Sequence, residues 1–228
     1  MSPIRRMFDG VAHRYDFLNH TLSLFQDISW RKKSCRMLTG LVPEKARLLD
    51  LCGGTGDFAI TYAKIIGKPS LSVIGDFSLG MLSLVPAKTT EAFPVQMNAL
   101  GLPFPKEMFD VVLNGFGMRN VANTRKGLQE TYRVLKPGGC FVTLEFFAPD
   151  GLFNRFFYKG LAPLFIPAVG AFFSGKKDAY EYLVRSIQRF LKVKEYATLA
   201  EECGFEVLKL ESCDFGIAYR LLLRKKSV

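Results

Sequence analysis

Apolar residues recur along this chain in two rhythms, and the change from one to the other marks its elements. Over the first forty residues the rhythm is helical. Phe17, Leu18, Leu22 and Phe25 fall at helical offsets, and a second helix is expected around Trp30 to Leu38, before Pro43. From Ala46 short apolar runs take over. ARLLDL reads as a strand that stops at CGGTGD, and the DFAITYAKII that follows has helical periodicity. LSVIGD is a second strand, followed by a helix from about Ser78, and FPVQMN is a weaker third. FDVVLNGFG makes the fourth, and the helix over RKGLQETYRVL stops at KPGG, where proline and glycine terminate it. CFVTLEFF is the fifth. An irregular apolar stretch precedes a helix over KEYATLAEECGF, closed by Gly204, and then the strands EVLKLES and IAYRLLLR. Strands alternating with helices predict an α/β fold: a mostly parallel seven-stranded sheet, helices on both faces and an antiparallel C-terminal edge.

The pattern holds no internal repeat, low-complexity tract or long linker. One domain over residues 1–228 is therefore expected, with a helical N-terminal part (1–43) and an apolar insertion (149–192). At 228 residues, 49% hydrophobic and 23% charged, the chain is long and apolar enough for a real core, which excludes a disordered protein. The formal charge of +10 attracts phosphates in general, from nucleic acid or an anionic membrane surface, and does not choose between them. Cys35, Cys52, Cys140, Cys203 and Cys213 are widely spaced and form no CxxC pair, so reduced thiols in the cytoplasm are expected, with no metal site. The opening MSPIRRMFDGVAHRYD is too polar for a signal peptide. The longest uncharged stretch, Gly160 to Gly175, is interrupted by Pro163 and Pro167 and falls short of the ~20 residues a membrane helix needs.

LDLCGGTGD carries the most chemistry. In an open α/β sheet, ligands bind beyond the carboxyl ends of the strands. Gly53, Gly54 and Gly56 remove side chains there, so a ligand can approach the backbone. Asp50 and Asp57 flank the turn with carboxylates, which suits a cationic ligand better than a pyrophosphate. GGTG also departs from the GxGxxG dinucleotide pattern, and no phosphate-loop lysine follows it. Asp76, at the end of the second strand and roughly 20 residues on, is placed to accept bonds from ribose hydroxyls. The alternative, a glycine turn and a surface aspartate with no ligand, has to treat the second acid as coincidence.

These residues resemble a class I S-adenosylmethionine-dependent methyltransferase with a Rossmann-like sheet. Further segments resemble the ubiquinone/menaquinone biosynthesis C-methyltransferase family: MFDGVAHRYDFLNHTLS, LDLCGGTGDFA, DFSLGML, LPFP with FDVV, GFGMRNV, YRVLKPGG with LEFFAP, and YEYLVRSIQRF. The likeness runs from Met7 to the last strand. GFGMRN and the opening MFD…RYD…LN discriminate most, because LKPGG and the glycine turn recur across methyltransferases. The resemblance implies S-adenosylmethionine as cofactor, with Thr55 in the turn, Asp76 at the ribose and Asn98-Ala99 beside the adenine. It groups Asp50, Gly53, Gly54, Gly56, Phe77, Met81 and Gly115 with them. Gly115 stands where the family often has serine, and Leu191 where it often has proline.

The implied reaction is methylation of a ring carbon of a prenylated quinol, which requires raised electron density at that carbon. A cation or donor beside the neighbouring oxygen would lower its pKa. Arg119 and Asn120, just past the fourth strand, are the first candidates, with Arg119 stabilising an oxyanion and Asn120 orienting it. A helix-capping Asn and a solvated Arg are the ordinary alternative. Tyr15, in an N-terminal segment read as a lid, is expected to line the quinol pocket. His13, Glu145 and Tyr180 are weaker candidates. GLFNRFFYKGLAPLFIPAVGAFF, with Arg155 and Lys159 among apolar side chains, suits a lipid-tailed acceptor and peripheral membrane contact, though buried core is the ordinary explanation of such a run. A homodimer, or association with other quinone-pathway enzymes, is the further partner expectation. An O- or N-methyltransferase of a soluble metabolite shares the cofactor half of the pattern. A regulator that binds the cofactor without turnover shares it too. Nucleic acid is not expected as a partner, because the basic residues are spread along the chain with no added RNA-binding module.

Overall fold

The computed structural model describes residues 3–150 and 177–227. Two helices lead, α1 (Pro3–Leu22) and α2 (Gln26–Arg36). Then come β1 (Arg47–Leu51), α3 (Asp57–Ile65), β2 (Leu71–Asp76), α4 (Leu79–Leu82), α5 (Val85–Lys88), β3 (Phe93–Gln96) and β4 (Phe109–Gly115). The chain continues through α6 (Thr124–Val134), β5 (Leu135–Glu145), α7 (Lys177–Arg189), α8 (Val193–Glu202), β6 (Phe205–Cys213) and β7 (Ala218–Lys225).

The seven strands form one sheet in the order β3-β2-β1-β4-β5-β7-β6. The first five run parallel, and β7 lies antiparallel to both β5 and β6. Alternate residues of the inner strands supply two separate cores. Leu48, Val111, Leu113, Cys140, Val142 and Leu222 join Trp30 and Cys35 of α2 and Phe58 and Tyr62 of α3. Leu49, Val112, Phe141, Leu221 and Leu223 join Leu128 of α6 and Tyr196 of α8. The expected architecture is present, helices on both faces and an antiparallel end included. Each fully buried Leu or Phe contributes about 1.5–3 kcal/mol, which fixes the strands and with them their carboxyl ends.

Four details differ from the sequence reading. The helix from Ser78 is two short pieces, because Pro86 has no N–H to donate across the break. The strand expected from Cys140 begins at Leu135, since Gly138, at φ +74°, turns KPGG back into the ladder beside β4. The helix α7 lies where no element was expected. Finally, Phe17 and Phe25, read as the apolar face of the first helix, are 57% and 60% exposed. Of the insertion 149–192, residues 151–176, with Arg155 and Lys159, lie outside the described residues. Among the described residues no helix is long and apolar enough to cross a membrane.

Candidate active site

The chain leaves the carboxyl ends of β1, β2 and β4 toward one cleft of about 630 Å³. The glycine turn forms its floor. Gly53 N–H donates to the Gly75 carbonyl at 3.0 Å, which ties the turn to β2. Gly54, at φ +57°, has no atom within 4 Å of where a side chain would start, so the turn presents bare backbone to the cleft. Gly56, at φ +89°, opens α3, and a side chain there would collide with Ile74. It lines neither this cleft nor the small cavity beside it; its role is to let the helix begin.

Two carboxylates stand at this floor. Asp50 is fully buried; one oxygen accepts from Ala59 N–H at 2.9 Å, and the other, Oδ1, has no partner. Burial pushes its carboxyl up to about 7, against the bond from Ala59 and the charge of Arg31. Asp76 accepts from Gly54 N–H at 3.0 Å and from Ser78 N–H at 2.8 Å, and burial raises it as well. An unpartnered buried carboxylate oxygen costs free energy until a donor or cation reaches it.

The walls come from elsewhere in the chain. Phe77, Met81, Asn98, Ala99, Gly115 and Asn120 line the cleft, as does Tyr15 of α1. A second, small cavity of about 30 Å³ shares Tyr15, Cys52, Gly54 and Gly115 with it and adds Asp50, Gly53, Thr55, Asp57, Asp16 and Arg31. Two acidic anchors hold α1 across the opening. Asp9 accepts from Ser78 Oγ at 2.5 Å and from Gly80 N–H at 3.0 Å, bonds that hold its carboxyl below the ordinary range. Asp16 accepts from Thr55 Oγ1 at 2.7 Å and pairs with Lys88 at 2.7 Å. Thr55, expected at the cofactor, is therefore buried with its hydroxyl engaged by α1. Tyr15 packs edge-on to Phe8, and burial raises its phenol while the charge of Arg119 opposes that rise.

Arg119 and Asn120 part company. Arg119 does not line the cleft. Its guanidinium donates to Glu145 at 2.5 Å and to the Phe116 carbonyl at 2.6 Å, and lies over the Phe146 ring. Its side chain is 6% exposed, so it is not the solvated arginine of the ordinary reading, and its Nε has no partner. Glu145, fully buried, is raised by burial while Arg119 pulls it down. Asn120 faces the cleft, and Tyr182 Oη donates to its Oδ1 at 2.9 Å. The weak bond from its Nδ2 to the Phe116 carbonyl, an acceptor only, sets which end of the amide meets Tyr182. Of the weaker candidates, Glu145 belongs to this cluster, while the side chains of His13 and Tyr180 lie outside the described residues.

Tyr182, Arg31, Asp16 and Lys88 escape sequence reasoning. Arg31 sits in the basic run Arg31-Lys32-Lys33, which reads as a solvated face, and Tyr182 lies off the stripe that Tyr180, Leu183, Val184 and Ile187 make on its helix. Only YEYLVRSIQRF, quoted for the family likeness, marks the neighbourhood of Tyr182. Among the described residues no cluster of His, Cys, Asp or Glu could hold a metal ion.

Residues 2–222 match the model of the ubiE/COQ5 methyltransferase family. The chain is 34% identical over 222 residues to the demethylmenaquinone methyltransferase of Lactiplantibacillus plantarum, covering 94% of this chain and 92% of the relative. It is 37% identical over 226 residues to the ubiquinone/menaquinone biosynthesis C-methyltransferase UbiE of Geobacter sulfurreducens, covering 94% and 85%. Two solved structures share the fold at low identity. A chain from the Haloferax volcanii complex of the Trm112 activator with a methyltransferase has TM-score 0.70, 16% identity and coverage of 96% and 97%. An S-adenosylmethionine-dependent methyltransferase of Aquifex aeolicus has TM-score 0.61, 14% identity and coverage of 85% and 89%.

Proposed function

The chain belongs to the ubiE/COQ5 methyltransferase family, and we propose that it transfers the methyl group of S-adenosylmethionine to a ring carbon of a prenylated quinol. The acceptor is demethylmenaquinol, the corresponding benzoquinol of ubiquinone biosynthesis, or each in turn. The observation that carries the donor half is the pair of buried carboxylates at the glycine turn. Asp50, lining the small cavity, keeps an unpartnered oxygen and Asp76 lines the adjoining cleft, an arrangement that favours a ligand carrying positive charge.

When bound, S-adenosylmethionine supplies a methyl group activated by its positively charged sulfur. Asp76 would accept the ribose hydroxyls, and Phe77, Asn98 and Ala99 would enclose the adenine, with Met81 beside them. Asp50 would meet the ammonium group, and Gly54 leaves the backbone open to the ligand, while the space beside Gly53 and Gly115 is taken by Asp50 and Ile74 and by Phe58. Gly115 carries no side chain where a serine would add a contact; backbone serves in its place.

On the acceptor side, the ring carbon becomes nucleophilic when the neighbouring hydroxyl gives up its proton. The amide of Asn120, oriented by Tyr182, presents a donor to that oxygen, and the nearby charge of Arg119 favours the anion. Arg119 acts at second hand, through field and through the loop it clamps, because its guanidinium does not line the cleft and Nη1 goes to Glu145 and Phe116. The ring carbon gains a carbon–carbon bond as the donor's sulfur–methyl bond breaks to leave S-adenosylhomocysteine, and the same ring carbon gives up its proton. Tyr15 closes the wall, and α1 serves as a lid whose acidic anchors must release for exchange. A prenyl tail needs apolar cover, for which residues 151–173 and peripheral contact with the membrane are the natural source.

The test is transfer of labelled methyl from S-adenosylmethionine to demethylmenaquinol and to a benzoquinol acceptor under reducing conditions, with wild type and Arg119→Ala. Label in one quinol, lost in the variant while donor binding persists, supports the reading and names the ring. No label in either, with donor still bound, overturns it in favour of a soluble acceptor or a binding-only protein.

A further inference from the structure

We propose that the turn between α1 and α2 is a membrane-docking surface, in which Leu24 and Phe25 enter the interface of an anionic lipid bilayer and the exposed bases of α2 meet its headgroups. The proposal rests on the quinol reading above for its choice of lipid over protein, and it names a second contact beside the one expected of residues 151–173.

Leu24 and Phe25 both adopt left-handed backbone, at φ +51° and +61°, a conformation that side chains of this bulk rarely occupy. Burial does not offset that strain. The two residues are 80% and 60% exposed, and Phe25 rests against the His20 ring at the surface. The turn is nonetheless firmly built. Phe25 N–H donates to the His20 carbonyl at 2.6 Å, Gln26 N–H to the Ser23 carbonyl at 3.0 Å, and Ser23 Oγ to Asp27 at 2.7 Å. Strain held in place this way displays two apolar side chains instead of packing them.

Charge and position both fit a bilayer. The exposed residues of α2 are Gln26, Lys32, Lys33 and Arg36, and its one acid, Asp27, is buried in its ion pair with Arg31. At the tip, His20 stands 3.8 Å from Asp57, the first residue of α3, and Asp57 pairs in turn with Lys88 at 2.5 Å. The tip therefore sits at the carboxyl edge of the sheet, where the cleft opens, and both acids that adjoin it are paired. A small apolar tip flanked by bases suits a layer of headgroups, where the apolar groups leave water and the bases meet phosphate. A stable protein partner would need a far larger contact than these two side chains provide. Docked by this tip, the chain holds its cleft against the surface in which a prenylated acceptor dissolves.

Sedimentation with vesicles tests this on the full chain, using equal parts phosphatidylglycerol and phosphatidylcholine beside phosphatidylcholine alone. Leu24→Asn with Phe25→Asn removes the apolar pair and supplies a residue that tolerates left-handed backbone, so urea unfolding is expected to show a fold no weaker than wild type. Its partition onto the anionic vesicles is expected to fall roughly 10- to 100-fold. Lys32→Gln with Lys33→Gln keeps the tip, and is expected to lose about fivefold per lysine on anionic vesicles and little on phosphatidylcholine alone. Bound wild type with loss in both pairs supports the proposal. Wild type that ignores anionic vesicles, or either pair binding as wild type does, overturns it. So does an asparagine pair that sediments as a monomer where wild type is a dimer, with vesicle binding intact, since the tip is then a contact between copies. Binding needs no methyl transfer, so the two readings fail separately. A chain that methylates a quinol yet binds no vesicle loses only this surface, and one that binds vesicles yet methylates no quinol loses only the function above.

Discussion

Asp50→Asn is expected to make the ligand-free protein more stable at alkaline pH while weakening its hold on the donor. The carboxyl is fully buried, and its pKa is raised from an ordinary 3.8 to about 7. A raised carboxyl pKa means that the folded state binds a proton more tightly than the unfolded chain does. Between those two values the folded protein holds the proton and the unfolded chain does not, so stability falls as pH rises through the window, and the full cost is reached above pH 7. At about 1.4 kcal/mol for each pH unit the interval is worth ~4 kcal/mol. Asparagine keeps the oxygen that accepts from Ala59 N–H at 2.9 Å and removes the charge. Urea unfolding of wild type and Asp50→Asn at pH 5 and pH 8 is the assay. A variant more stable by ~2 kcal/mol at pH 5, where the unfolded carboxyl is already ionised, and by ~4 kcal/mol at pH 8 is expected, with the variant binding S-adenosylhomocysteine more weakly at both. Equal stability of the two proteins at pH 8 would refute the claim that Asp50 is ionised there with one oxygen unpartnered.

Two further outcomes follow from the same geometry. Tyr182→Phe frees the amide of Asn120 and is expected to lower kcat for methyl transfer by roughly tenfold, about the worth of one hydrogen bond at the reacting end, without changing affinity for S-adenosylhomocysteine. Steady-state kinetics beside a binding titration check it, and an equal loss in both contradicts the positioning role. Gly56→Ala places a side chain at φ +89° against Ile74 and is expected to destabilise the fold by ~2 kcal/mol or more, read by urea unfolding.

The sheet is legible in the sequence because its parallel strands are buried on both faces and read as nearly unbroken apolar runs, RLLDL and LSVIGD among them. The site residues that sit on strand ends are legible for the same reason. Asp50 and Asp76 follow from where those runs stop, whereas Gly115 and Asn120 enter only through the family resemblance. What escapes is set by docking of helices rather than by local pattern. Whether Arg31 points to water or inward depends on how α2 packs on β5 and α3, and nothing within WRKK encodes that. Tyr182 reaches Asn120 across 62 positions of chain. Arg119 has the right address and a different role, because Glu145, hidden at the end of a hydrophobic strand, takes its charge. The helix α7 does carry a helical signal, Tyr180, Leu183, Val184 and Ile187 at i, i+3, i+4 and i+7 of KDAYEYLVRSIQR, but it follows directly on the irregular apolar stretch, which masks where the periodicity starts.

The sheet order has a consequence for biosynthesis. β6 is made before β7, yet β7 lies between it and β5, and among the described residues no other strand touches β6. A nascent chain that has emerged as far as Cys213 carries a nine-residue strand with nothing to zip onto, and β5 offers a bare hydrogen-bonding edge. Both wait on Ala218–Lys225, whose arrival closes the two ladders together. That half of the molecule is therefore completed in one late event, and any stall in translation between the two strands leaves an adhesive edge for chaperones to guard.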